Sequence, residues 1–368
     1  MRYSEPRIDG LRVRGYRVPT DAAEADGTLG WDSTGMLLVE VSAAGHRGLG
    51  YSYTEPVSAA ALVRDTLAPL LHERCAFDLP AHWQTMRAAL RNAGRPGLGM
   101  MAIAAVDVAL WDLKARLLGL SLASLWGVAR DSVPLYGSGG FTRYDDERLA
   151  RQLGGWAEQG LSRVKMKIGS APADDPRRLR VARDAIGPDV ELMVDANGAF
   201  TPRRALAMGE ALRASNVCWY EEPVSSDDPD GLAWLRDRVP PAITIAAGEY
   251  GWEPQYFRRL LECQAVDVLQ ADATRCGYTG FLRTAALCEA FQRPLSAHCA
   301  PALHAPVCAA APRLAHLEYF HDHVRIESRF FDGLPALHQG DYRIDPSAVG
   351  HGLKLREADA EPFRVPLS

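Results

Sequence analysis

The chain is predicted to be an α/β protein: a (β/α)8, TIM-type barrel with an N-terminal α+β capping domain that the C-terminal tail completes. Three observations carry this. From about residue 133, eight short apolar runs alternate with helix-length segments over about 200 residues, the rhythm of a parallel barrel. Before that point strand-like and helix-like patterns are mixed, so the opening block is a separate unit. Acidic residues also close successive apolar runs at nearly even spacing. A length of 368 residues suits a barrel-sized domain plus a smaller one.

Residues 7–18 ("RIDGLRVRGYRV") and 36–54 ("MLLVEVSAAGHRGLGYSYT") alternate as strands, the second with a Gly-bearing turn. Between them, "PTDAAEADGTLGWDST" (19–34) is polar and reads as a long loop, a length more often functional than idle. Helical patterns over 57–73, 79–93 and 99–118 complete a capping domain of residues 1–130. The barrel strands, within 131–330, are "VPLYGSG", "RVKMKIG", "ELMVDAN", "VCWYEEP", "AITIAAGE", "VDVLQAD", "PLSAHCA" and "HLEYF". Segments such as "DPRRLRVARDAIG" and "TPRRALAMGEALRAS" supply the helices between them. The tail, 331–368, holds more strand-like pieces and is expected to pack back on the cap. A doubly wound sheet would carry a Gly-rich phosphate turn after its first strand, and "YGSGGF" is a poor match.

Composition narrows the partners. Apolar content of 47% and charged content of 24% are ordinary for a soluble globular protein. A net charge of −5 with no Lys/Arg cluster leaves no footprint for nucleic acid. No apolar run is long enough to cross a bilayer, and the N-terminus lacks the apolar core of a secretory signal. The seven Cys are odd in number, and no two are spaced as C-x-x-C. They are expected to be buried thiols in a cytoplasmic protein.

The acids lead to chemistry. Asp195, Glu221 and Glu249 end strands three, four and five, at steps of 26 and 28 residues, one βα unit each. Residues so placed converge on the rim where barrel active sites lie. Three carboxylates meeting there repel by about 4 kcal/mol per pair at 4 Å and an effective dielectric of 20, and a divalent cation removes that penalty. Oxygen-only donors favour Mg2+ over Zn2+. Glu222, beside Glu221, is expected to point the other way.

In "RVKMKIG", Val164, Met166 and Ile168 form one face, so Lys165 and Lys167 share the other. An edge strand with a solvated face would explain them, since Lys guards edges. Next to Asp195 on the rim they face the metal centre instead. A dication and a second ammonium both favour the neutral amine, which makes a usable base. Asp272 and His298, 26 residues apart, end adjacent strands six and seven. A carboxylate beside a His fixes its tautomer and raises its basicity. Placed across the barrel from Lys167, His298 becomes a second acid/base. Glu318 lies in strand eight. By strand alternation Cys299 points away from His298 into packing.

"VKMKIG", "VDANGAF", "WYEEP", "GE" and the Asp272–His298 pair, with the cap helix "AIAAVDVALWDLKARLLGLSLASLWG" (102–127), resemble the enolase superfamily in its mandelate racemase subgroup. The likeness covers nearly the whole chain. It implies one Mg2+ held by Asp195, Glu221 and Glu249, chelated by the carboxylate of a small-molecule substrate that Lys165 helps to polarise. It makes Lys167 and the His298–Asp272 dyad bases on the two faces of the α-carbon. Asn197 and Glu318 would hydrogen-bond the substrate carboxylate, Glu318 as a protonated donor. The 19–34 loop would close over the site and select the distal part of the substrate. Symmetric homo-oligomers are favoured by the same resemblance. One departure stands out: in "CGYTG", Tyr278 occupies the place where the resemblance leads one to expect a second Gly.

The expected activity is an acid-sugar dehydratase, a hydro-lyase acting on an aldonate or aldarate. A 2-hydroxy-acid epimerase or a sugar-lactone cycloisomerase would use the same residues. A non-catalytic carboxylate-binding protein would need none of these proton-transfer groups. Tyr136 on strand one and His304 after strand seven are further candidates to touch substrate. "GLGMMA" (97–102) fits a dinucleotide-loop pattern but follows no convincing strand. "HDH" (321–323) lacks a third ligand and reads as polar rim.

Overall fold

The computed structural model describes residues 5–367. Its first three strands, β1 (Ile8–Ala25), β2 (Gly30–Ala43) and β3 (His46–Tyr53), form an antiparallel sheet. The helix Leu98–Leu118 lies on that sheet. Close approach is possible because β3 presents glycines to it. A Cβ on Gly48 would sit 2.1 Å from the carbonyl oxygen of Ala109, and one on Gly50 2.3 Å from that of Ala105. Gly119, in the left-handed conformation at φ 68°, ends the helix. Asp112, buried in this contact, accepts from the backbone N–H of Leu49 and His351 at 2.9 Å each and from Arg116 Nε at 2.7 Å. An acid placed mid-helix thus ties sheet, helix and tail together.

The barrel consists of β4 (Ser132–Gly139), β5 (Arg163–Lys167), β6 (Glu191–Asp195), β7 (Val217–Glu221), β8 (Thr244–Ala247), β9 (Val268–Ala271), β10 (Leu295–Ala297) and β11 (Leu314–Phe320). All pair in parallel, and β11 closes the ring on β4 through Leu317–Leu135 and Glu318–Tyr136. Outward residues such as Val164, Met166 and Ile168 join the core beneath the helices. Inward, Tyr136, Met193, Trp219, Ala246 and Val268 fill the barrel below the rim.

Residues 19–34 are not a loop. β1 and β2 run on as one long hairpin whose register slips between Pro19 and Glu24 and whose turn spans Asp26–Leu29. Asp26 Oδ1 accepts from the N–H of Thr28 (2.6 Å) and Leu29 (2.7 Å). The tip rests on the barrel mouth: a Cβ on Gly27 would meet the carbonyl oxygen of Ala196 at 2.2 Å. Cross-strand pairing satisfies the backbone, so the apolar side chains missing from this stretch are not needed to order it. Trp31 finds its partner outside the cap, edge-on to Phe141 at 5.3 Å between centroids.

The tail serves both domains. Its hairpin, Ala336–His338 with Asp341–Arg343, pairs with β4 of the barrel, while Arg364–Val365 adds an edge to β1. All seven cysteines are unpaired thiols. Among the described residues no helix is long and apolar enough to cross a membrane.

Candidate active site

Strand register builds the site. Lys167 on β5 pairs with Asp195 on β6, which pairs with Glu221 on β7, so the three occupy one rung at the strand tips. Glu249 follows β8 just past Gly248, whose φ of 133° turns the chain inward. Donor oxygens of Asp195, Glu221 and Glu249 lie within 4.8 Å of one another, and all three residues are buried. This crowding shows in the protonation. Burial, together with the charges of Asp195, Glu318 and Glu249, pushes Glu221 up to about 8 against the pull of Lys165. Glu249 Oε2 is buried without a hydrogen-bond partner among the described residues. A buried all-oxygen set with an unsatisfied acceptor fits a hard divalent cation such as Mg2+.

Lys165 and Lys167 are both buried in the barrel mouth. Lys165 Nζ lies 2.6 Å from Glu221 Oε1, 2.8 Å from Glu318 Oε1 and 3.7 Å from Asp195 Oδ2. Lys167 Nζ donates to Asp195 Oδ2 at 2.5 Å. Burial alone would lower both amines, but the carboxylates outweigh it and raise them. The carboxylates by themselves favour the ammonium forms, while the neutral amine expected of Lys167 invokes a dication that opposes them. Lys165, His298 and Lys167 hold Glu318 well below the usual carboxylate range despite its burial. Its Oε2 accepts from Cys299 N–H at 2.9 Å.

His298 stands three strands around the ring from Lys167, just past β10. Its Nδ1 meets Asp272 Oδ2 at 3.0 Å, and Asp272 Oδ1 accepts from Thr274 N–H at 2.7 Å. Burial disfavours the imidazolium, yet Glu249, Glu318 and the Asp272 bond raise His298 to about 9. Asp272 falls to about 2, the cost of its burial outweighed by His298, His304 and Arg275. His298 is thus held in one orientation by Asp272, an arrangement that suits proton transfer.

The other candidates take different places. Asn197, at φ 44°, donates its N–H to Asp195 Oδ1 at 2.8 Å and leaves Oδ1 buried without a partner. Tyr136 lies under the lysine, 5.2 Å from Lys165 Nζ to the ring centre, and packs against Trp219 and His316. It is part of the floor and not of a pocket wall. His304 is fully buried, with both ring nitrogens engaged: Nε2 accepts from Ala273 N–H at 2.7 Å and Nδ1 meets Ala300 O at 3.0 Å. With no nitrogen left for substrate, it braces the chain beside Asp272. Tyr278 is buried too, its O–H donating to Leu303 O at 2.6 Å while Gly277 supplies the turn at φ 70°.

Cys299 was expected to face away, but its Sγ lies 3.2 Å from His298 Nε2 and 3.4 Å from Glu318 Oε2. The alternation rule fails because the chain has left β10 and Cys299 and Ala300 take φ 55° and 39°. No signal in the sequence marks that turn. Beside the site a cavity of about 500 Å³ opens, bounded by Asn197, Glu222, Tyr250, Trp252, Arg275 and, from the hairpin, Thr28; none of the three acids lines it, but Asn197 and Glu222 stand close to them in the chain.

A parallel barrel whose rim gathers an oxygen-ligand cation site between an amine and an imidazole defines a class of enzyme that handles protons beside a bound anion. This chain belongs to the enolase superfamily, in its mandelate racemase subgroup. Residues 24–127 match the family "Mandelate racemase / muconate lactonizing enzyme, N-terminal domain" and residues 147–359 the family "Enolase C-terminal domain-like". It is similar to a mandelate racemase/muconate lactonizing enzyme-like protein from Rubrobacter xylanophilus, at 52% identity and a TM-score of 0.95 over 98% of this chain and 100% of that one. L-Talarate dehydratase from Polaromonas sp. JS666, solved with Mg and L-glucarate, is 32% identical with a TM-score of 0.88, covering 98% of each chain. The L-talarate/galactarate dehydratase of Salmonella typhimurium is 33% identical over 291 residues, 77% of this chain and 73% of that protein.

Proposed function

We propose that the protein is an acid-sugar dehydratase: it removes the proton α to a substrate carboxylate and expels the β-hydroxyl as water, giving a 2-keto acid. The observation that carries this is the His298–Asp272 dyad, half-buried at the imidazole, facing the three acids from the side opposite Lys167. Such a pair of proton carriers is idle in a binding protein. The dehydratases among its relatives support the same reading.

The acids and Asn197 fix where the substrate carboxylate sits. Mg2+ among Asp195, Glu221 and Glu249 would supply positive charge where the dianionic enediolate develops. Lys165, its ammonium held by Glu221 and Glu318, donates to the same developing charge. Lys167, having released its own proton to water, takes the α-proton; the C–H electrons pass into the enediolate and then form the Cα–Cβ double bond as the β-oxygen leaves. His298 gives its Nε2 proton to that oxygen, and Asp272 holds the ring through Nδ1. The enol then tautomerises to the keto acid. Glu318 and Cys299, against Nε2, confine the imidazole to the cavity side.

An acid-sugar panel assayed for 2-keto product with Mg2+ present, alongside α-proton exchange in heavy water, tests this. The expected result is keto acid from at least one aldonate or aldarate. Exchange with inversion and no keto acid would refute dehydration and place the enzyme with the epimerases.

A further inference from the structure

The outer cavity carries one feature that the proton chemistry leaves unused. Arg275 follows Asp272 by three residues, and its guanidinium lies over the Tyr250 ring at 5.0 Å from the centroid. Arg275 is the only cation among the residues that line the cavity. Its nearest acid is Asp272 Oδ2 at 3.9 Å, too far for a hydrogen bond, and that oxygen already serves His298. The side chain is 23% exposed, yet its guanidinium donates no hydrogen bond to another described residue. Five N–H donors in a planar fork, steadied by a ring and aimed into a cavity, are matched by a carboxylate. Thr274 N–H and His298 already occupy the two oxygens of Asp272, so Arg275 gives it charge but no hydrogen bond.

We infer that Arg275, seated on Tyr250, takes the terminal carboxylate of the substrate, so that the enzyme acts on aldarates and not on aldonates. This rests on the reading above, in which the first carboxylate sits at the acids, and it extends that reading to the far end of the molecule. The cavity borders the acids at Asn197, whose N–H meets Asp195 Oδ1 at 2.8 Å, and at Glu222, the neighbour of Glu221. Ser225, Ser226 and Asp227 on its wall suit the hydroxyls between. Asp227 repels a second carboxylate wherever Arg275 does not meet it, which favours one register for a diacid. The carboxylate of a monoacid goes to the cation site, which leaves the guanidinium facing a neutral hydroxymethyl group.

The test uses the full-length, Mg2+-loaded protein and a matched pair, galactarate and galactonate, with 6-phosphogalactonate as a third arm. Binding by calorimetry is read beside kcat/KM, for the wild type, Arg275→Met and Arg275→Lys. The expected wild-type preference for the diacid is about 10–100-fold, in both binding and turnover, the range for losing one charge-assisted partner at a binding site. In Arg275→Met that ratio collapses to within about threefold, and Arg275→Lys recovers part of it, since an ammonium keeps the charge but not the fork. Equal wild-type affinity for the two acids overturns the inference, as does an equal loss on both in Arg275→Met, or binding of neither. A phosphorylated monoacid preferred over the diacid in an Arg275-dependent way overturns the carboxylate assignment. Arg275-dependent diacid binding without exchange or keto product from any acid sugar would sink the dehydratase reading alone. Keto product formed without diacid preference would sink this one alone.

Discussion

Replacing Lys165 with Met probes how the cation site is balanced. Lys165 Nζ lies 2.6 Å from Glu221 and 2.8 Å from Glu318, and all three side chains are buried. Deleting one partner of such a buried ion pair costs about 3–5 kcal/mol, because the remaining charges stay out of water. One positive charge about 4 Å from an acid contributes on the order of 4 kcal/mol at an effective dielectric of 20, which agrees with that range. Met keeps the length and bulk of the side chain, so the change is chiefly electrostatic. A missing ammonium also no longer opposes a dication among the same acids. Mg2+ is therefore expected to stabilise Lys165→Met more than the wild type, by about 1.4 kcal/mol for every tenfold gain in affinity. Denaturant unfolding with chelator and with millimolar MgCl2 reads both effects in one series. Equal Mg2+ increments in the two proteins would refute the electrostatic account of the site. So would a variant that matches the wild type in chelator.

Asp272→Asn should slow β-elimination about 10–100-fold, the worth of one charge-assisted hydrogen bond, while α-proton exchange on the Lys167 face stays within about threefold; equal losses in both would show that Asp272 does not act through His298. Gly50→Ala places a Cβ 2.3 Å from Ala105 O and 2.5 Å from Ala109 N, so thermal unfolding should show a loss of about 3 kcal/mol or more. The pH dependence of stability should trace in part to Glu24. This buried acid shares the indole N–H of Trp31 with Asp322, at 3.0 and 3.2 Å. Burial and Asp322 raise it from the ordinary 4.5 to about 9. Its folded pKa being the higher, the folded state holds the proton more tightly. Stability from this group is full below about pH 4.5, falls by about 1.4 kcal/mol per pH unit above it, and stops falling past about pH 9. Glu24→Gln should flatten that slope in unfolding measured from pH 6 to 9; an unchanged slope would assign the dependence elsewhere.

The barrel was legible because its strands are buried on both faces and bounded by helices, so each reads as a short apolar run. The acids were legible because parallel register repeats at each unit: Asp195 and Glu221 pair directly. What escaped depends on contacts distant in sequence. The 19–34 hairpin looks like loop because Trp31 packs on Phe141 and Glu24 meets Asp322, partners that no local pattern reveals. His304 resembles a catalytic histidine until both its nitrogens are seen bonded to backbone. Cys299 was misplaced by a rule that holds only inside a strand. The ion pairs of Lys165 with Glu221, Glu318 and Asp195 were not legible either, because they join four different strands.

The hairpin tip touches the barrel mouth through backbone at Gly27, leaving Thr28 to face the cavity. No acid of the cation site is fixed by that turn. Side chains there can be exchanged while the rim of acids and lysines stays undisturbed, so one ribbon can vary its outward face at little cost to the barrel beneath it.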